Sequence, residues 1–155
     1  MAENQTDRES QRSHPSLTPE KELTLEAKTE NLEQVLAFVD SQLEALDCSM
    51  KTQMQIDIAV EELFVNIAHY AYTPETGMAT LRIQTQPAPR SVTITFLDRG
   101  VPYDPLAKED PDVSLSAEDR QIGGLGIYMV KKSMDEMTYE YRDGQNILRI
   151  KKALD

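Results

Sequence analysis

IAVEELFVNIAHYAY, residues 58–72, is the stretch on which the fold turns. Ile56, Val60, Leu63 and Ile67 recur at helical spacing through it, so it is an amphipathic helix. That helix is expected from near Ser49 to about Tyr72, with Pro74 and Gly77 stopping it. At about 100° per residue, Glu62, Asn66 and His69 fall on one narrow stripe beside the apolar one. Asp57 and Glu61 point away from it. A carboxylate, an amide and an imidazole at the rim of a core are placed to line a cleft. A polar flank with an i,i+4 pair is the plainer alternative. Asn in mid-helix costs roughly half a kcal/mol against Ala, so it asks for a reason.

Working outward, Leu23, Leu25 and Ala27 alternate with polar neighbours as in a half-buried strand. Thr29 or Asn31 then caps a helix whose apolar positions are Leu32, Val35, Leu36, Val39, Leu43 and Leu46. After the central helix, strands are expected at 78–86 and 91–97, joined as a hairpin through Pro87-Ala88-Pro89-Arg90. A helix over 126–134 and strands at 137–142 and 146–152, turning at Asp143-Gly144-Gln145, complete the chain. The order β-α-α-β-β-loop-α-β-β implies an α+β two-layer sandwich: a mixed, mostly antiparallel sheet with helices on one face. Residues 1–19 carry little to bury and are expected to be a disordered polar tail, leaving 20–155 as a single domain.

Composition narrows the function classes. The 155 residues suit one domain with a core, and 39% are hydrophobic although Trp is absent. No apolar run is long enough for a spanning helix. The first sixteen residues are polar, without the apolar region of a secretory signal. The single cysteine, Cys48, fits a reducing cytoplasm. A net charge of −11, from 27 acidic against 16 basic residues, makes nucleic acid and membrane poor partners. A nucleotide can still be held by a local pocket of backbone amides and a metal.

Two further segments carry chemistry. Asp98 shares parity with Val92, Ile94 and Phe96, so its carboxylate points to the apolar side, where it needs a donor from the protein or from a ligand. Gly100 lets a group approach the backbone closely. A strand ending in an Asp-Arg-Gly turn is the alternative. The second segment, Ile122-Gly123-Gly124-Leu125-Gly126, opens a helix, and exposed N–H groups at a helix start suit an anion. It lacks the GxxxxGK[ST] pattern of a P-loop and the preceding strand of a Rossmann fingerprint. Between the two, residues 99–124 have no strong periodicity, and a connection of that length is functional or mobile.

Together the three segments resemble the N, G1 and G2 boxes of the Bergerat (GHKL) ATP-binding fold, and most of all the bacterial anti-sigma-factor serine/threonine kinases. The boxes are EELFVNIAHYAY at 61–72, DRGVPYDP at 98–105, and GGLGIYMVK at 123–131 followed by Met134-Asp135. The resemblance spans about residues 20–152. It implies ATP and Mg²⁺ as cofactors, with Asn66 as the metal ligand and Glu62 as general base. Asp98 would accept the adenine amino group, with Gly100 giving the purine room. Gly124, Leu125 and Gly126 would hold phosphate oxygens, and residues 101–121 would form a lid. Where that branch has His four residues after the Asn, this chain has Tyr70. His69 stands three after, nearer the histidine-kinase pattern, and both are nucleotide-site candidates. The implied activity is phosphorylation of a serine or threonine on a small STAS-type antagonist, with a sigma factor as second partner and homodimerisation possible. A nucleotide-dependent binding module without kinase activity fits the same boxes. A complete sensor histidine kinase is disfavoured, because the only histidines are His14 and His69.

Overall fold

The computed structural model describes residues 20–107 and 124–154. The expected polar tail and most of the expected lid, residues 108–121, lie outside them. Five strands and three helices follow the anticipated order. They are β1 (Lys21–Glu26), α1 (Leu32–Ala45), α2 (Met50–Tyr70), β2 (Met78–Pro87), β3 (Arg90–Asp98), α3 (Gly124–Ser133), β4 (Glu136–Arg142) and β5 (Gln145–Ala153).

Local chemistry accounts for most of the boundaries. Ser49 caps α2, its Oγ accepting from the Thr52 amide at 3.1 Å. Asn31 stands at the start of α1 but makes no side-chain cap; its Nδ2 donates instead to the Glu26 carbonyl at 2.9 Å. A short 3₁₀ turn at Thr29–Asn31 enters the helix in its place. The β4–β5 turn places Asp143 and Gly144 at φ 55° and 78°, the left-handed conformation that a two-residue hairpin loop requires.

The sheet runs β1-β2-β3-β5-β4, and all four pairings are antiparallel. One parity of the strands, including Leu81, Ile83, Ile94, Phe96 and Ile150, shares a single core with Val35, Val39 and Leu43 of α1 and with Ile56, Val60, Leu63 and Phe64 of α2. The other parity is largely polar: Thr24 hydrogen-bonds Thr80, and Arg82 pairs with Glu22. Helices therefore cover one face only, as alternation along the strands requires. Among the described residues, no helix is long and apolar enough to cross a membrane.

Asp57 turns away from the Glu62–Asn66 stripe, as anticipated, but it is only half exposed. It lies against Asp40 of α1, and Gln53 Nε2 donates to Asp40 Oδ1 at 3.2 Å. Asp57 Oδ1 is buried and has no hydrogen-bond partner among the described residues. Burial first, then the Asp40 carboxyl beside it, push Asp57 up to about 7.

Candidate functional site

In the sheet register Asp98, the last residue of β3, stands opposite Asn146 at the start of β5. Beside this pair opens a cleft of about 460 Å³, its mouth to solvent included. Leu63, Asn66, Ile67 and Tyr70 of α2 form one wall. Val101, Tyr103 and Pro105 form another, while Phe96 and Leu148 floor it and Ile127 of α3 closes the far side. The lining is apolar with a few convergent polar groups, which suits a flat heteroaromatic ligand better than an extended polar one.

Asp98 is buried, as its parity demanded. Its Oδ1 accepts from the Gly100 amide and from Asn146 Nδ2, each at 2.9 Å. Burial raises its pKa, while the Asn146 and Gly100 hydrogen bonds oppose the rise by favouring the ionised form. Among the described residues both hydrogen bonds end on Oδ1, leaving Oδ2 to receive a donor from a ligand.

Asn146 does more than face Asp98. Its Nδ2 also reaches the carbonyls of Val101 (2.9 Å) and Gly100 (3.4 Å). Its Oδ1 accepts from the Tyr103 amide at 3.2 Å and from the Tyr139 hydroxyl. The turn after β3 is thus tied to β5 by one side chain. Sequence reading passed over Asn146 and Tyr139, and took Tyr103 only as part of the expected lid. The signal was available for Asn146: it shares inward parity with Leu148 and Ile150, so a polar group there needed explaining.

Gly100 has a reason the sequence did not reveal. A Cβ there would collide with the backbone of Ala71, with Ala71 Cβ only 2.6 Å away, and the next amide, Val101, donates to the Ala71 carbonyl at 2.9 Å. The close approach that needs glycine is made by the chain leaving α2. Tyr72 tightens the same corner: its hydroxyl donates to the Met78 carbonyl and accepts from the Arg99 amide at 2.7 Å.

Of the three stripe residues, Asn66 lines the cleft, and its Nδ2 is buried without a hydrogen-bond partner among the described residues. Glu62 lies against the first turn of α3, where a Cβ on Gly126 would meet its carboxylate, Oε2 being 2.7 Å off. Gly124 and Leu125 open that helix, and Gly123 lies outside the described residues. His69 is exposed and stands outside the lining. Tyr70, four residues after Asn66, takes the wall instead and stacks on Tyr103.

Residues 25–152 match the family described as the histidine kinase-like ATPase domain. The chain belongs to that family. This ATPase domain is similar to the serine/threonine-protein kinase BtrW of Bordetella bronchiseptica, with 28% identity over 102 residues, 66% of this chain and 71% of that protein. It is also similar to the anti-sigma F factor of Clostridium acetobutylicum, with 25% identity over 124 residues, 80% and 85% of the two chains. Its fold matches that of the RsbU and RsbW domains of a Mycobacterium tuberculosis protein at a TM-score of 0.63 and 16% identity. The match covers 88% of this chain and 33% of that one. The SiaB–SiaC complex of Pseudomonas aeruginosa contains the same fold, at a TM-score of 0.53 and 17% identity over 95% of both chains. The ATPase domain is thus a nucleotide-binding fold, and ATP is the ligand its family implies.

The residues fit that ligand. Among the described residues, Asp98 Oδ2 accepts no hydrogen bond beside the apolar slot, and Asn66 Nδ2 is buried without a partner. Among the described residues, no three His, Cys, Asp or Glu side chains gather to hold a metal.

Proposed function

We propose that this ATPase domain is an anti-sigma-factor-type kinase, one that phosphorylates a serine or threonine of a small STAS-type antagonist and also binds a sigma factor. The observation that carries the reading is the cleft lined by an inward Asp98 and by Asn66, whose Nδ2 has no partner among the described residues; Glu62, one helical turn before Asn66, lies outside that lining against the first turn of α3. Similarity to a serine/threonine kinase and to an anti-sigma factor supports the same assignment.

In this reading ATP supplies the phosphoryl group that is transferred. Asp98 accepts the purine amino group, and the apolar slot beside it excludes water from the ring. Asn66 would hold Mg²⁺ through its side-chain oxygen, the donor type that ion prefers, and the ion would supply positive charge beside the phosphates. The amide N–H groups of Gly124, Leu125 and Gly126 suit phosphate oxygens. Glu62 takes the proton of the acceptor hydroxyl. Tyr70 forms the wall beside the purine, and exposed His69 serves at most at the rim. The setting in this reading is cytoplasmic control of transcription.

One observation favours a second reading, a nucleotide-dependent binding module. The position that is His in the kinase branch is Tyr70, whose ring is committed to Tyr103. Incubating the chain with labelled ATP, Mg²⁺ and candidate STAS-type proteins separates the two. Transfer to a serine or threonine establishes the kinase; nucleotide-dependent capture without transfer establishes the module. Absence of any nucleotide-dependent thermal shift overturns both, because a ligand at about 100 times its Kd adds about 2.7 kcal/mol.

A further inference from the structure

We infer that Asn146 is the positioning residue for purine recognition, its carboxamide locking Asp98 so that Oδ2 is the oxygen presented to a 6-amino purine. The inference rests on the nucleotide reading above and extends it to a residue outside the three boxes.

The amide has only one tolerable orientation. Its Oδ1 accepts from two donors, the Tyr103 amide and the Tyr139 hydroxyl. Its Nδ2 faces three acceptors: Asp98 Oδ1, the Gly100 carbonyl and the Val101 carbonyl. Turning the amide over would set its oxygen against those three oxygens and its NH₂ against two donors. Neighbours that settle an Asn orientation this fully are what the choice between its O and N depends on. The residue is only 6% exposed, so water has little access to its carboxamide.

The consequence falls on Asp98. A carboxylate at a strand end is free to rotate and can present either oxygen to a ligand. Here Oδ1 is occupied by two donors from different directions, the Gly100 amide within the turn and Asn146 across the strand pair. The plane of the carboxylate is set before any ligand arrives, which is the preorganisation that makes a polar contact selective. The same carboxamide holds the carbonyls of Gly100 and Val101 and the amide of Tyr103, so the wall of the slot moves with the carboxylate. Asn suits this role because it donates and accepts at once and carries no charge beside Asp98. Asp there would oppose a second carboxylate to Asp98, and Leu would take one hydrogen-bond partner from each of the five groups around it.

The test compares ATP with the triphosphate of purine riboside, which lacks the 6-amino group, by calorimetry on wild type and Asn146→Ala. Wild type should prefer ATP by about ten- to a hundredfold, the usual cost of a mispaired buried polar group. Asn146→Ala should bind both nucleotides with a ratio that collapses to within about threefold, ATP losing more than the analogue. A merely structural role would lower both affinities by the same factor and leave the ratio intact, and that result overturns the inference. Thermal melting confirms that Asn146→Ala folds. If it does not, Asn146→Ser, which keeps one donor and one acceptor, is measured, with an intermediate ratio expected. A Ser variant with the wild-type ratio, or one that also fails to fold, assigns the residue to the fold and overturns the inference. A wild type that binds both nucleotides equally removes Asp98 as the amino acceptor and the inference with it. If wild type binds neither, the nucleotide reading itself falls.

Discussion

The ring of Tyr70, at the last turn of α2, stacks on the ring of Tyr103, with centroids 6.3 Å apart and planes inclined by 27°. His69 meets the same Tyr70 ring edge-on at 6.0 Å. Such a pair contributes about 0.5–1.5 kcal/mol beyond its area burial, and here it joins the helix end to the turn after β3. Tyr70→Ala should therefore speed hydrogen exchange at residues 101–107 and weaken ATP binding by up to about tenfold. Tyr70→Phe should preserve both, since the stack needs the ring and not the hydroxyl. Exchange measured by mass spectrometry checks this, and unchanged rates in the Ala variant would refute it.

Glu62 and Gly126 form a second pair. Glu62→Gln keeps the side chain's size but removes its basicity, so phosphotransfer should fall by about 10²–10⁴ while ATP affinity stays within a few fold. Gly126→Ala should produce the same phenotype by another route, because the new methyl takes the space of the Glu62 carboxylate. That carboxylate is the far end of a flexible side chain, and Ala favours a helix by up to about 1 kcal/mol over Gly, so stability should not suffer. Gly100→Ala should behave differently, since its methyl meets the backbone of Ala71. Melting curves and transfer assays on the three variants separate these outcomes. A Gly126→Ala protein with full activity would show that Glu62 is not the base.

Asn66→Ala makes an unusual forecast for a half-buried position. Its Nδ2 has no partner among the described residues, so truncation removes an uncompensated polar group instead of a bond. Without nucleotide the variant should melt no lower than wild type, helped by about half a kcal/mol of helix propensity. With ATP it should lose the extra stabilisation that Mg²⁺ provides. A melt in ATP that remains as sensitive to Mg²⁺ as wild type would exclude Asn66 as the metal ligand.

The Asp40–Asp57 contact predicts a pH dependence far from the cleft. Asp57 titrates at about 7 in the folded protein against an ordinary 3.8, so between these values the folded state holds a proton that the unfolded chain has released. Stability contributed by this site therefore falls as pH rises from about 4 to about 7. Asp57→Asn should be more stable than wild type at pH 8, and the difference should shrink as pH is lowered to 5. Melting temperatures across that range decide it; a difference independent of pH would mean that the pair does not share a proton.

Most of the fold was legible in the sequence because its elements declare themselves by period. The stripe Ile56, Val60, Leu63, Ile67 and the alternation Val92, Ile94, Phe96 each commit one face to burial. The inward aim of Asp98 followed from the same alternation. What could not be read were relations between distant elements. The reason for Gly100 lies in Ala71, the neighbour of Gly126 is Glu62, and the holder of Asp98 is Asn146, 48 positions away. On the central helix, spacing alone favoured His69 over Tyr70. Both residues are exposed, but Tyr70 stacks on Tyr103 and lines the cleft whereas His69 stands outside it.

The strand order also bears on how the protein folds. The hairpins β2–β3 and β4–β5 close through loops of two residues, whereas the β3–β5 pairing joins residues from 48 (Asp98 with Asn146) to 62 (Ser91 with Ala153) positions apart in the chain. Closing such long loops, here and between β1 and β2, is the slow entropic part of assembly, and β3 against β5 is the seam where the N-terminal and C-terminal portions meet. Asp98 and Asn146 sit on opposite sides of it, at its end. A ligand seated against both acts as a clasp on the seam and slows its opening. Unfolding rates, more than folding rates, should then register nucleotide, and the chain's lifetime in a cell would follow the ATP level around it.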